Sequence, residues 1–144
     1  VVIVINVGID CGVNTGFAMT QAGELVVVQS MTITQAMAEI RVLLAAGHDL
    51  TIYIEDARLR TWFGGADARQ ARSGAGIREG VGSVKRDCQI WEDWCIEQGV
   101  PYKLIHPAQN VTKLTAKAFN QITKWTAKTN EHGRDAAMLI VGRR

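Results

Sequence analysis

The chain has 144 residues, 47% of them hydrophobic and 21% charged, with a mean hydropathy of +0.03, which fits one soluble domain able to bury a core. The longest apolar runs, Val1–Ile5 and Leu25–Val28, fall far short of the ~20 residues a bilayer span requires, and no basic segment precedes the first, so neither a membrane span nor a signal peptide is indicated. The net charge of +2 is divided unevenly. Residues 1–56 carry one base against six acids, and residues 57–86 seven bases against two acids; residues 87–112 turn acidic again, and residues 113–144 carry seven bases against two acids. Two basic blocks around an acidic frame suit a protein that grips phosphates while holding carboxylates for a metal, although an unevenly solvated surface would look the same.

Cys11, Cys88 and Cys95 form no C-x-x-C pair and have no zinc spacing. An odd count argues against a disulfide framework and for a reducing cytoplasm.

Val1–Asp10 is nearly continuous in β-branched and apolar residues, which predicts a central strand buried on both faces. Cys11–Gly16 reads as a tight turn, with Gly12, Asn14 and Gly16 tolerant of positive φ. Phe17–Gln21 and Glu24–Ser30, joined at Ala22-Gly23, continue as a hairpin. Thr34 is expected to cap a helix that runs to about Ala46 and stops at Gly47. Thr51–Asp56 reads as a fourth strand. The stretch from Arg58 to about Gly76 lacks periodicity and reads as a loop. An amphipathic helix from Ile77 to Gln98 aligns Val84, Cys88, Trp91 and Cys95 on one face. Pro101–His106 reads as a fifth strand, and helices over about Thr115–Trp125 and Glu131–Val141 close the chain. The order β-β-β-α-β-α-β-α-α, without repeat or linker, predicts a single α/β domain over residues 1–144. Its mixed sheet would have three antiparallel strands and two parallel ones, with flanking helices.

Asp10 ends a buried apolar strand, where an unpaired carboxylate is costly to desolvate. A divalent cation or a set of backbone N–H groups would compensate it. Glu55 ends the fourth strand. If that strand lies beside the first, the two acids meet at one sheet edge, and Asp56 must face the other way because strand side chains alternate. His132 and Asp135 are three apart at a helix start and share a face, followed by Ala136 and Ala137, which are small enough for close approach to a sheet. Three carboxylates and an imidazole suit magnesium or manganese. Taken singly, Glu55 could be an exposed strand-end acid, and the His–Asp pair a charge set against the helix dipole.

The stretches "GIDCGVNTGFAM", "IYIEDARL" and "NEHGRDAAMLIVG" resemble, in order and spacing, the metal-binding motifs of the RuvC family of Holliday junction resolvases, most of all its short bacterial and phage members. The likeness extends over nearly the whole chain. It implies a ribonuclease H-like fold with Asp10, Glu55, His132 and Asp135 as ligands of two Mg²⁺ ions about 4 Å apart, Mn²⁺ substituting. The activity implied is phosphodiester hydrolysis of four-way junctions, leaving 5′-phosphate and 3′-hydroxyl ends. A homodimer would present two sites to two strands, with no organic cofactor and no membrane partner. Lys113 and Lys117 lie where the family places lysines that contact the cleaved strand, which makes Lys117 a candidate catalytic group. Trp62 and Phe63 lie near the family's aromatic wedge. Arg58, Arg60, Arg69 and Arg72 would supply phosphate contacts. The glycines Gly74, Gly76, Gly80 and Gly82 would allow close packing or flexibility ahead of the helix used for dimer contact.

Other readings stay open on sequence. A broader branched-DNA or general phage nuclease would share the metal chemistry, and a catalytically silent DNA-binding relative would share the surface. An actin-like kinase domain also opens with Asp-x-Gly but needs a second half for which 144 residues leave no room.

Overall fold

The computed structural model describes residues 1–60 and 75–144. Its five strands, β1 (Val4–Asp10), β2 (Thr15–Gln21), β3 (Glu24–Met31), β4 (Asp49–Glu55) and β5 (Tyr102–Ile105), form one sheet in the order β3-β2-β1-β4-β5. The first three are antiparallel neighbours, while β4 joins β1, and β5 joins β4, in parallel. The mixed sheet expected from the element order is therefore present. Among the described residues the helices are α1 (Ile33–Ala45), α2 (Ala75–Gln98), α3 (Ala116–Thr123) and α4 (Glu131–Met138). None is long and apolar enough to cross a membrane.

Alternation along the central strands explains the layers. Ile5, Val7 and Ile9 of β1 and Leu50, Ile52 and Ile54 of β4 share a core with Ala36 and Ile40 of α1 and with Cys88, Trp91 and Cys95 of α2. Each such aliphatic side chain, withdrawn fully from water, contributes roughly 1.5–3 kcal/mol. Trp91 and Trp94 meet edge to face, with centroids 5.7 Å apart. A second cluster gathers Ala18, Val28 and Tyr53 of the sheet against Phe119 of α3 and Ala136, Ala137 and Ile140 in and just after α4. The residues of β1 that alternate with the first core, Asn6, Gly8 and Asp10, thus turn toward α4.

Several boundaries differ from expectation for identifiable reasons. The first strand begins at Val4, opposite Asp49, the first residue of β4, with the last residue of β2, Gln21, opposite Ile5; Val1 and Val2 lie exposed. The cap of α1 is Thr32 rather than Thr34. Thr32 accepts from the Gln35 backbone N–H, and the Gln35 side chain accepts from the Thr32 N–H, a reciprocal box that Thr34 cannot make. Asp56 leaves the ladder to cap a 3-10 turn over Ala57–Leu59, in a stretch expected to be loop. Residue 75 already lies in α2, two positions before the expected start, while residues 61–74 lie outside the described ones. Lys124 takes a left-handed conformation that ends α3 before Trp125, and α4 ends at Met138 in looser turns rather than at Val141. Gly80 and Gly82 sit within α2, where a Cβ on either would meet no described residue within 4 Å.

Candidate active site

Asp10 and Glu55 are register partners at the ends of the parallel strands β1 and β4, so both side chains leave the same face of the sheet. Helix α4 brings the other two groups. It starts at Asn130, whose side chain accepts from the Gly133 N–H at 2.8 Å and donates to Ser30 Oγ at 2.8 Å, tying the helix start to the end of β3. The helix lies almost on the sheet backbone. A Cβ on Gly8 would come within 2.1 Å of the Ala136 carbonyl oxygen, and one on Gly16 within 2.0 Å of the His132 carbonyl oxygen. Gly133, on the helix side, faces the Gln29 backbone with equally little room. Gly16 therefore serves close approach, and it is absent from the positive-φ glycines, contrary to its reading as a turn residue. Ala136 and Ala137 are fully buried, as small residues at such a contact must be.

This approach sets His132 Nδ1 3.2 Å from Asp10 Oδ2, joined by a hydrogen bond when the ring proton sits on Nδ1. Asp135 is 8% exposed, and its Oδ1 accepts from the Lys113 backbone N–H at 2.8 Å. His132 is the exposed member of the four, with its side chain 51% accessible. Burial, then the Asp10 and Asp135 charges, push the Glu55 carboxyl up to about 7. Burial likewise raises the Asp10 carboxyl against the opposing pull of His132, and it raises Asp135 against the Lys113 N–H. Burial and mutual repulsion thus favour the neutral forms of these carboxyls.

The donor set suits a hard divalent ion, since oxygen ligands with one imidazole are what magnesium and manganese accept. Among the described residues no three His, Cys, Asp or Glu side chains stand gathered as a ready cage, because His132 turns to Asp10 and Asp135 to the Lys113 main chain. The residues fit a cation by the chemistry of their donor atoms.

The remaining expected residues are distributed differently. A small cavity of about 140 Å³ is lined by Asp10, Glu55, Cys11 and Arg60, among others, so Arg60 is at the site. The Arg58 guanidinium donates to Asp56 at 2.8 and 2.9 Å and to Glu92 at 2.9 Å. Burial would raise the Asp56 carboxyl, but the Arg58 bonds hold it below its ordinary value. Asp56 faces away from Asp10, as strand alternation required, and pairs with the Arg58 guanidinium. The main chain of Lys113 serves the site, and its side chain is exposed. Lys117 is exposed and lines a groove on α3 with Asn120, Gln121 and Trp125. Trp62, Phe63, Arg69 and Arg72 lie outside the described residues.

Sequence reasoning missed Asn110. Its side-chain NH₂ donates to the Asp135 carbonyl at 3.0 Å, and its bonding to Glu55 opposes the rise of that carboxyl. A lone Asn in a connecting segment gives no sequence signal. Gly8 and Gly16, whose missing Cβ atoms admit the helix backbone, were not picked out for close approach either.

No protein-family model matches the chain, and no curated protein matches it by sequence. Solved structures do match in fold. One is T. thermophilus RuvC in complex with a Holliday junction substrate, with 17% sequence identity and a TM-score of 0.53, covering 96% of this chain and 90% of that one. With its β3-β2-β1-β4-β5 mixed sheet and flanking helices, the chain has the ribonuclease H-like fold.

Proposed function

We propose that the chain is a metal-dependent endonuclease that cuts branched DNA at four-way junctions, working as a two-fold homodimer. One observation supports this reading: Asp10 and Glu55 end neighbouring parallel strands as register partners, His132 bonds to Asp10, and the Asp135 charge acts on Glu55. The T. thermophilus protein of the same fold, solved with a Holliday junction, supports the choice of substrate. Mg²⁺ held by these four residues would supply acidification of the attacking water and neutralisation of charge at the phosphate. Asp10 and Glu55, fixed by strand register, would define the floor of that site. Asp135 is held from behind by the Lys113 N–H, and His132, the exposed member, faces the side from which DNA arrives. Arg60, at the rim of the cavity, would steady the phosphate being cut. Hydrolysis leaves a 5′-phosphate and a 3′-hydroxyl.

A second reading, a catalytically silent DNA-binding relative, draws on the side chains that are turned away from a common centre. Incubation of a synthetic four-way junction, a fork and a linear duplex with Mg²⁺ or EDTA separates the two. Asp135→Asn is the control, because an amide oxygen can still accept from the Lys113 N–H while the charge is lost. Paired, symmetric nicks that need Mg²⁺ and fall at least ~100-fold in Asp135→Asn are expected, given the size of a metal's contribution to charge stabilisation. Equal cutting of all three substrates would move the protein to a general nuclease role. Binding without cutting would establish the silent relative.

A further inference from the structure

We propose that Cys11 and Cys88 are a redox-sensitive dithiol, which a small hydroperoxide converts to a disulfide beside the carboxylate edge. Its effect on cleavage rests on the nuclease reading, but the bond itself does not. The two cysteines are far apart in the chain, and the fold brings them together. Cys11 is the residue after β1, and Cys88 lies near the middle of α2 within the same core cluster. Their thiols hydrogen-bond to each other. The Cys88 sulfur is fixed from two further sides, donating to the Glu55 carbonyl at 3.6 Å and accepting from the Ala57 N–H. Cys95, the third free cysteine, follows two helical turns later, about 10 Å along the axis from Cys88.

Reaction needs access as well as a facing pair, and the small cavity at the site gives it. Cys11, 8% exposed, lines that cavity with Asp10, Glu55 and Arg60, and Ala57 and Val84 complete part of its wall. Ala57 bonds to Cys88, and Val84 stands one turn before Cys88 on the same side of α2. The Cys88 sulfur therefore lies directly behind the wall that Cys11 forms. At about 140 Å³ the cavity has room for a few molecules the size of water. It suits hydrogen peroxide and is too small for a bulky disulfide such as oxidised glutathione.

The chemistry balances with that one oxidant. One sulfur attacks the peroxide, the O–O bond breaks, and a sulfenic acid forms with release of water. The second sulfur attacks the sulfenic sulfur, the S–O bond breaks, and the oxygen leaves as a second water with the proton of the attacking thiol. Two thiols and one hydrogen peroxide give one disulfide and two waters. A thiol reductant reverses the bond by exchange, so in a reducing compartment it is a transient state and not a structural link. A disulfide holds its sulfurs about 2.05 Å apart, far closer than thiols in hydrogen-bond contact. Closing it draws the end of β1 toward α2, and the Glu55 carbonyl loses the Cys88 S–H. Asp10, directly before Cys11, is thereby displaced from its place opposite Glu55 and His132.

The test treats the whole chain with hydrogen peroxide in EDTA and reads the intact mass and a non-reducing peptide map. The expected result is a loss of about 2 Da, reversed by dithiothreitol, with peptides joined through Cys11 and Cys88. Of the three free thiols, that of Cys95 alone should remain. Cys95→Ala should oxidise like the wild type, and Cys11→Ser should not lose the two hydrogens. An unchanged mass, a bridge through Cys95, or oxygen added to Cys11 without a bridge would overturn the pair, and the wild-type map decides this whether or not the variants fold. The bridged protein should also cut a four-way junction about 10-fold more slowly or worse, given how steeply rate depends on placement, and recover with dithiothreitol. Bridged protein that cuts at the full rate would overturn the displacement of Asp10. Since the mass needs neither metal nor cleavage, the two readings can fail separately. A bridge in a protein that cuts no junction keeps the pair and removes the nuclease, while a protein that cuts but never bridges removes the pair alone.

Discussion

A carboxyl pushed up to about 7, as Glu55 is, means that the folded chain keeps a proton which the unfolded chain has already released. The linkage has a definite sign. Stability from this group is fully present below the unfolded pKa, near 4.5, and is lost as pH rises through about 7. Asp10 and Asp135 are raised as well, and so add in the same direction. In EDTA, thermal melts of the wild type should therefore fall by about 2–5 °C between pH 5 and pH 8. Glu55→Gln carries no charge to desolvate, so its melting temperature should vary less over that range and exceed the wild type at pH 8. Mg²⁺ should raise the wild type at pH 8 far more than at pH 5, because ionised ligands bind it, and should leave Glu55→Gln nearly unmoved. A Gln variant with the full wild-type pH dependence would show that Glu55 is not the titrating group.

The helix α4 places half of the candidate site, and its position depends on what the sheet beneath it lacks. Gly8 and Gly16 leave the backbone of β1 and β2 bare where the Ala136 and His132 carbonyls come down. Gly16→Ala would drive a methyl group into backbone that cannot swing aside, at a cost of about 1–3 kcal/mol, toward the upper end because the obstacle is main chain. The expected result is a melting temperature lower by several degrees, together with a loss of cleavage larger than the stability change explains, since His132 is lifted from Asp10. Circular dichroism melts and junction cleavage by the same preparation would read both. The strand periodicity was legible in sequence, as was the pairing of Asp10 with Glu55, because alternation and strand order leave only one face for both acids. The small pair Ala136-Ala137 pointed to close packing, whereas Gly16 looked like a turn residue and Gly8 was simply part of the first strand. Local pattern cannot tell a glycine needed for its φ from one needed for its missing Cβ. The Thr32 cap was missed although Thr32-x-x-Gln35 spells it out, because Thr34 stood nearer the apolar run. The ion pairs of Arg58 were not legible in sequence for a different reason. Its partners Asp56 and Glu92 are far apart in sequence, and only the packing of α2 over β4 brings Glu92 to it.

At the scale of the molecule, the near-balance of charge conceals two opposed surfaces. The acidic edge of Asp10, Glu55 and Asp135 stands beside the basic stretch that begins at Lys113, and the Lys113–Asp135 bond joins them. A polyanion approaching the lysines must also approach the carboxylates, so without a cation the two surfaces work against each other. Each uncompensated charge about 6 Å from a phosphate opposes binding by about 0.7 kcal/mol at the dielectric of water, and less as salt is added. Removing two such charges should therefore strengthen DNA binding up to about tenfold. The expected outcome is that a Glu55→Gln, Asp135→Asn double variant binds a four-way junction in EDTA at pH 8 more tightly than the wild type. The advantage should shrink between 50 mM and 200 mM salt. Adding Ca²⁺ should raise the wild-type affinity and leave the variant almost unchanged, which closes the gap from the other side. Equal affinities in EDTA would mean that DNA does not come near the carboxylate edge, and the placement of the substrate proposed for Arg60 and His132 would then have to be given up.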